Sequence, residues 1–158
     1  MADYLCCWLK IPEECQQEFE KIVPDDHSKE HYLVDNNPRL IEYIFSEVKW
    51  GELDFLDDLH EIGIPFDFSN DNSEDARHII CRFTSDGEMI LQDYLESDSK
   101  IEGSYLISSI DSCNSPEEKL QFINEQYIKF SNLLTPLPWD NQIEYGKLYR
   151  TRQLIDPS

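Results

Sequence analysis

The sequence predicts a single α+β domain spanning residues 1–158, with a mainly antiparallel sheet of about five strands packed by three to four helices. Three observations carry that expectation. Residues 4–11, YLCCWLKI, are apolar at nearly every position, as a central strand covered on both faces would be. Residues 77–83 and 89–95 flank Asp86-Gly87, a strong signal for a two-residue hairpin turn. Two further segments, 53–62 and 120–134, space their apolar residues three and four apart, which is the period of a helix face.

In chain order, Pro12 opens a helix to about Val23, with Glu13 and Glu14 in a first turn where the helix dipole favours acids, and Cys15, Phe19 and Ile22 on its buried face. Residues 24–37 form a charged connector, within which HYLV reads as a short edge strand. The alternation of Ile41, Tyr43 and Phe45 predicts a strand over residues 40–50, although Leu40, Tyr43, Ile44 and Val48 also fit a helix.

A helix then buries Leu53, Leu56, Leu59 and Ile62 and ends at Gly63, a residue suited to the left-handed stop of a helix. IPFDF at 64–68 follows as a short strand, and residues 69–76 as a loop. With a two-residue turn, Phe83 faces Ile90 and Ile79 faces Tyr94, placing Ile79, Cys81, Phe83, Ile90 and Tyr94 toward the core. Residues 104–112 suggest a short helix or turn. Ser115-Pro116-Glu117-Glu118 starts a clearer one, whose apolar stripe is Leu120, Ile123, Tyr127, Phe130 and Leu134. Residues 135–158 read as an irregular tail with a strand near 143–148; its bases Lys147, Arg150 and Arg152 are expected to pair with the protein's own acids.

Charge restricts the function. Against 33 acids there are 13 Lys and Arg, a formal net charge of −20, so phosphate-rich nucleic acid and anionic membranes are poor ligands. With 40% hydrophobic residues the chain has core material, unlike a disordered acidic tail. No apolar run approaches a membrane span, the first residues lack the features of a signal peptide, and five cysteines, Cys6 and Cys7 adjacent and the other three scattered, with no C-x-x-C pair fit a reducing compartment, so a cytoplasmic location is expected.

The charge concentrates in residues 50–76, which hold nine acids and no Lys or Arg. Asp54, Asp57, Asp58 and Glu61 are expected as the primary contacts to a basic partner on the polar face of the leucine helix, with Asp71, Glu74 and Asp75 as steering charges. Asp54–Asp58 and Asp57–Glu61 would be like-charged pairs four apart, each costing roughly 0.2–0.5 kcal/mol, a cost without an evident structural return. Trp50, Phe55, Phe66 and Phe68 supply candidate aromatic anchors, chiefly Trp50 and Phe68, some of them needed instead by the core.

Chemistry has thinner support. His27-Ser28-Lys29-Glu30-His31 matches H-x-x-E-H, in which His27 and His31 on one helical face would bind zinc and Glu30 would polarise its water. Asp67, Ser69, Asp71 and Ser73 alternate like calcium ligands, but the glycine and closing glutamate of an EF-hand loop are replaced by Asn72 and His78. Asp57 and His60 could form a local pair. No nucleophile elbow and no phosphate-cradling glycine loop is present, and no cofactor is implied.

The run from Leu59 through GIPFDF to RFTSDGE resembles small proteins of bacterial plasmids and phages, in which a leucine-rich helix leads into G-I-P and a hairpin with a D-G turn. The resemblance covers about a third of the chain and implies a mobile-element setting, where acidic defence inhibitors and immunity proteins for nuclease toxins are common. The resulting expectation is a non-enzymatic inhibitor that occludes the DNA- or RNA-binding surface of a basic protein, as an anti-CRISPR or anti-restriction DNA mimic does. An immunity protein against a nuclease toxin is the alternative within that class. A small zinc hydrolase using His27, Glu30 and His31 is the alternative from another class, and a homodimeric subunit using the 139–158 tail is a third.

Overall fold

The computed structural model describes residues 3–24, 29–36, 38–84, 86–99, 103–134 and 138–155. They form an α+β fold built on one antiparallel sheet of six strands with five helices among the described residues. The strands are β1 (Tyr4–Pro12), β2 (Lys29–Asn36), β3 (Arg39–Lys49), β4 (Phe66–Asn70), β5 (Arg77–Phe83) and β6 (Met89–Leu95), in the spatial order β2-β3-β1-β4-β5-β6. The helices are α1 (Gln16–Ile22), α2 (Leu56–Glu61), α3 (Gly103–Ser112), α4 (Pro116–Leu134) and α5 (Trp139–Ile155).

The apolar run at the N-terminus does occupy the centre of the sheet, between β3 and β4. Its Cys7, Leu9 and Ile11 are buried on one face, while Cys6, Trp8 and Lys10 on the other are only half-buried. The core lies on the first face, where Tyr43, Phe45, Phe66, Phe68, Ile79 and Cys81 meet Cys15 and Phe19 of the first helical segment and Leu53, Phe55, Leu56 and Leu59 of the second. Phe19 lies 4.3 Å from the Tyr43 ring centre and 6.1 Å from that of Phe55, so the aromatic packing bridges sheet and helices.

Because β3 and β4 flank β1 on opposite sides, the chain between them must cross β1, and residues 50–65 make that crossing. The leucine stripe is buried as expected, yet α2 spans only Leu56–Glu61. It ends at Gly63 (φ 75°), with Ile64 N–H donating to the Leu59 carbonyl at 2.9 Å and Gly63 N–H to that of His60 at 3.1 Å, the paired bonds of a Schellman stop.

Three expectations are corrected. The hairpin loop has three residues between Thr84 and Glu88, with Gly87 at φ 81°, rather than the two-residue turn. Phe83 therefore pairs with Met89, Ile79 with Asp93 and His78 with Tyr94. This one-residue slip moves Ile90 and Tyr94 to the face opposite Ile79, Cys81 and Phe83, and Ile90 is exposed.

Second, residues 139–155 are helical, not an irregular tail with a strand; residues 135–137 and 156–158 lie outside those described. The buried face of α5 is made by Gln142 and Gly146, which no apolar pattern reveals. Two of its three bases do meet an acid of the same chain: Lys147 Nζ lies 2.7 Å and Arg150 Nη2 3.7 Å from Glu14.

Third, α4 begins as read, with Ser115 Oγ accepting from Glu118 N–H at 3.1 Å while Glu118 Oε2 accepts from Asn114 N–H at 2.7 Å. The described part of its stripe does not join the core, however, since Leu120, Ile123 and Tyr127 are exposed; the side chains of Phe130 and Leu134 lie outside those described.

Candidate functional site: an acidic groove at the end of the sheet

β3 is the element that shapes the site. Its pairing with β1 shifts between Leu5 and Cys7, leaving Ser46 and Glu47 both exposed and Glu47 at φ 57°. Such a bulge bends the strand and returns Val48 to the core. Just beyond, Trp50 (φ 60°) and Gly51 (φ 64°) reverse the chain, held by Trp50 N–H to the Asp3 carbonyl at 2.7 Å and Gly51 N–H to that of Val48 at 3.1 Å.

Buried Asn70, at the end of β4, ties this turn to the next loop. Its Nδ2 donates to the Gly51 carbonyl at 3.3 Å, and its Oδ1 accepts from Arg77 N–H at 2.9 Å. The result is a groove of about 570 Å³ at the end of the sheet where β3 and β4 finish and β5 begins. Leu53, Leu56, Phe68 and Ile79 give it an apolar lining, and Glu47, Glu52, Asp54 and Asp57 are its acids.

Two cations also line it, Lys49 and Arg77. Arg77 is already occupied: its Nη2 and Nε reach Asp93 at 2.6 and 2.9 Å, and Nη1 reaches Glu52 at 3.3 Å. The guanidinium beside Asp93 holds that carboxyl below the usual range. Asp54, Asp57, Asp58 and Glu61 are exposed, and no ion pair engages them among the described residues.

The expected contact residues are thus divided by the fold. Asp54 and Asp57 reach the groove, whereas Asp58 and Glu61 are exposed outside its lining. Asp54 precedes α2, so the Asp54–Asp58 pair four apart on a helix does not exist, and Asp57 and Asp58 sit in the first turn, where the dipole stabilises them. Of the two like-charged pairs expected on the helix, Asp57–Glu61 remains within α2. Trp50 is 52% exposed at the turn, while Phe68, Phe55 and Phe66 are core residues, with Phe68 reaching solvent only as groove floor.

The outer acids have local duties. Asp71 accepts the Cys6 N–H at 2.8 Å, pinning the loop to β1. Asp75 accepts from Ser97 N–H at 3.0 Å and from the Ser97 hydroxyl, tying the same loop to the turn after β6. Glu74 is exposed, its N–H donating to Asn72 Oδ1 at 3.1 Å. Asp67 and Ser69 lie within β4, not in a calcium loop, and Asp67 pairs with buried Arg82 at 2.5 Å. Glu47, Lys49 and Arg77 were not anticipated, because a strand bulge and a turn across the sheet leave no periodic signal.

The zinc motif loses its helix. Residues 29–36 are the edge strand β2, which sends Glu30 and His31 to opposite faces, and His31 packs 5.4 Å from the Tyr43 ring; His27 lies outside the described residues. His60 Nε2 faces the Met89 carbonyl at 3.5 Å instead of Asp57. Among the described residues no cluster of three or more His, Cys, Asp and Glu could hold a metal. Burial pushes the thiols of Cys7 and Cys81 up to about 12 and that of Cys15 to about 11, far from nucleophilic use.

With this geometry in view, comparison with known proteins returns nothing: no family model, no curated protein and no solved structure matches the chain. Among the described residues no helix is long and apolar enough to cross a membrane.

Proposed function

We propose that the protein works by binding: its acidic groove engages a basic surface of a protein that handles DNA or RNA, and so keeps nucleic acid from that surface. The observation that carries the reading is the convergence of Glu47, Glu52, Asp54 and Asp57 on one groove with an apolar floor, in a chain of net charge −20. A Lys or Arg of the partner would lay its aliphatic stem on Leu53, Leu56 and Phe68 and place its charge among the carboxylates. Exposed Trp50 beside the groove supplies an anchor of the kind that concentrates binding energy. The positive backbone angles at Glu47 and Trp50 support the same location, because strained conformations gather at functional sites. Defence inhibition and toxin immunity are both served by this mechanism and differ in the partner.

The test isolates the partner at about 50 mM salt and follows association by surface kinetics, since steered association of this kind is fastest at low ionic strength. Changing Glu47 and Glu52 to Gln and Asp54 and Asp57 to Asn should slow association at least about tenfold, and duplex DNA or RNA should compete with the wild-type protein. Unaltered association, or a complex indifferent to nucleic acid, would overturn the reading.

A further inference from the structure

Arg77 is held from two sides that differ in kind. It opens β5 opposite Leu95 of β6, and Asp93 stands opposite Ile79, so the ladder itself sets Arg77 and Asp93 diagonally across from each other on one face. Nε and Nη2 meet that carboxylate at 2.9 and 2.6 Å, a two-pronged, charge-assisted grip. Glu52 is a looser partner. It stands in the irregular segment between the Gly51 turn and α2, its side chain is 67% exposed, and a single contact of 3.3 Å to Nη1 joins it to Arg77.

The electrostatics have the same order. Arg77 is held above its usual range chiefly by the hydrogen bond to Asp93, with Glu52 the weaker influence. The backbone beneath is fixed as well, since Arg77 N–H donates to the side chain of buried Asn70, which also bonds the Gly51 carbonyl. What is left to exchange partners is the Glu52 carboxylate.

No other acid of the groove is engaged in this way. Glu47, Asp54 and Asp57 meet no cation among the described residues, and Lys49, the second base in the lining, has no ion pair among them either. We infer that Arg77 is a resident competitor for the groove: it occupies Glu52 in the free protein and yields it to a cationic side chain of the bound partner, while Asp93 keeps the guanidinium in place. This rests on the reading of the groove as a site for a basic surface, and adds the residue that sets how strongly it binds. An incoming cation meets Glu47, Asp54 and Asp57 directly but must displace Arg77 to reach Glu52. The exchange strands no charge, because Arg77 stays paired with Asp93.

Titration calorimetry of the full chain with an acetylated tri-arginine peptide decides it, at about 50 mM salt so that exposed charges are weakly screened. Arg77→Gln removes the competitor. Lys49→Gln removes the same charge from the same groove without breaking a contact of the Glu52 carboxylate, and so measures what net charge alone contributes. Arg77→Gln should tighten binding about threefold more than Lys49→Gln does, the scale of one exposed ion pair. Glu52→Gln should weaken binding about threefold more in the Arg77→Gln background than in the wild type, since only there is Glu52 available without competition. Circular dichroism checks each fold, and Arg77→Met takes the place of Arg77→Gln if the amide variant is unfolded.

An Arg77 variant that binds no tighter than Lys49→Gln, or a Glu52→Gln loss equal in both backgrounds, would refute the competitor and leave the groove as a binding site. A peptide that binds neither the wild type nor the Arg77 variant, or that binds undiminished once Glu47 becomes Gln and Asp54 and Asp57 become Asn, would instead remove the groove reading, and the competitor with it.

Discussion

The side-chain amide of Gln142 makes both backbone hydrogen bonds of Phe83: its Oε1 accepts the Phe83 N–H, and its Nε2 donates to the Phe83 carbonyl at 2.9 Å. Phe83 lies past the last paired residues of β4 and β5, where Phe66 meets Cys81, so the amide takes the place of a missing strand neighbour. The same contact anchors α5, whose Tyr145 and Tyr149 rings pack against that of Phe83 at 6.2 and 5.7 Å.

Gln142→Leu should therefore destabilise the fold by about 2–4 kcal/mol, leaving a buried donor and a buried acceptor without partners. Gln142→Glu should be at least as damaging, because a carboxylate cannot donate to the Phe83 carbonyl and would be buried beside it. Urea unfolding measures the loss. A cost below about 1 kcal/mol for Gln142→Leu would mean that α5 is held by its other contacts.

Arg82 is buried on the other face of the sheet, with Asp67 beside it and the ring of Trp139 3.6 Å from its guanidinium carbon. Burial raises the Asp67 carboxyl above its usual range and lowers Arg82, so desolvation outweighs the attraction of the pair. Asp67→Ala should cost about 3 kcal/mol by leaving a buried cation alone, whereas Asp67→Leu combined with Arg82→Met should lie much closer to wild type. A double variant as unstable as the single one would show that the pair is strongly favourable in itself.

Gly63 and Gly87 both have positive φ but stand in different surroundings. A Cβ on Gly63 would strike the ring of Tyr149, while one on Gly87 would meet open space. Gly87→Ala should cost about 1 kcal/mol for the backbone alone, and Gly63→Ala about 3 kcal/mol as the ring and α5 are displaced. Thermal melts of the two variants, compared directly, test the order.

The Arg77–Asp93 pair predicts an acid response. The hydrogen bond from Arg77 lowers the Asp93 carboxyl below its unfolded value, so its contribution is present above that value and lost as pH falls through the folded one. Asp93→Asn should lower the urea midpoint at neutral pH and flatten its decline between about pH 5 and pH 2. An equally steep decline in the variant would assign acid sensitivity to other carboxylates.

Much of the framework was legible in the chain itself. The apolar run at 4–11, the alternation at 41–45, the leucine row closed by Gly63 and the Ser115 cap each state a local preference that the fold honours. So does the acidity of residues 50–76, which is a property of composition. Tertiary structure decided the rest. The hairpin register rests on one loop residue that the Asp86-Gly87 signal does not count, and α5 is recruited by an amide and a glycine, which carry no hydrophobic period. Which acids meet was likewise undetermined along the chain. Crossing β1 and bulging at Glu47 bring Glu47, Glu52, Asp54 and Asp57 to one groove while committing Asp67, Asp71 and Asp75 to internal contacts. Charge is written residue by residue, but convergence depends on sheet order and register, which arise only from long-range pairing.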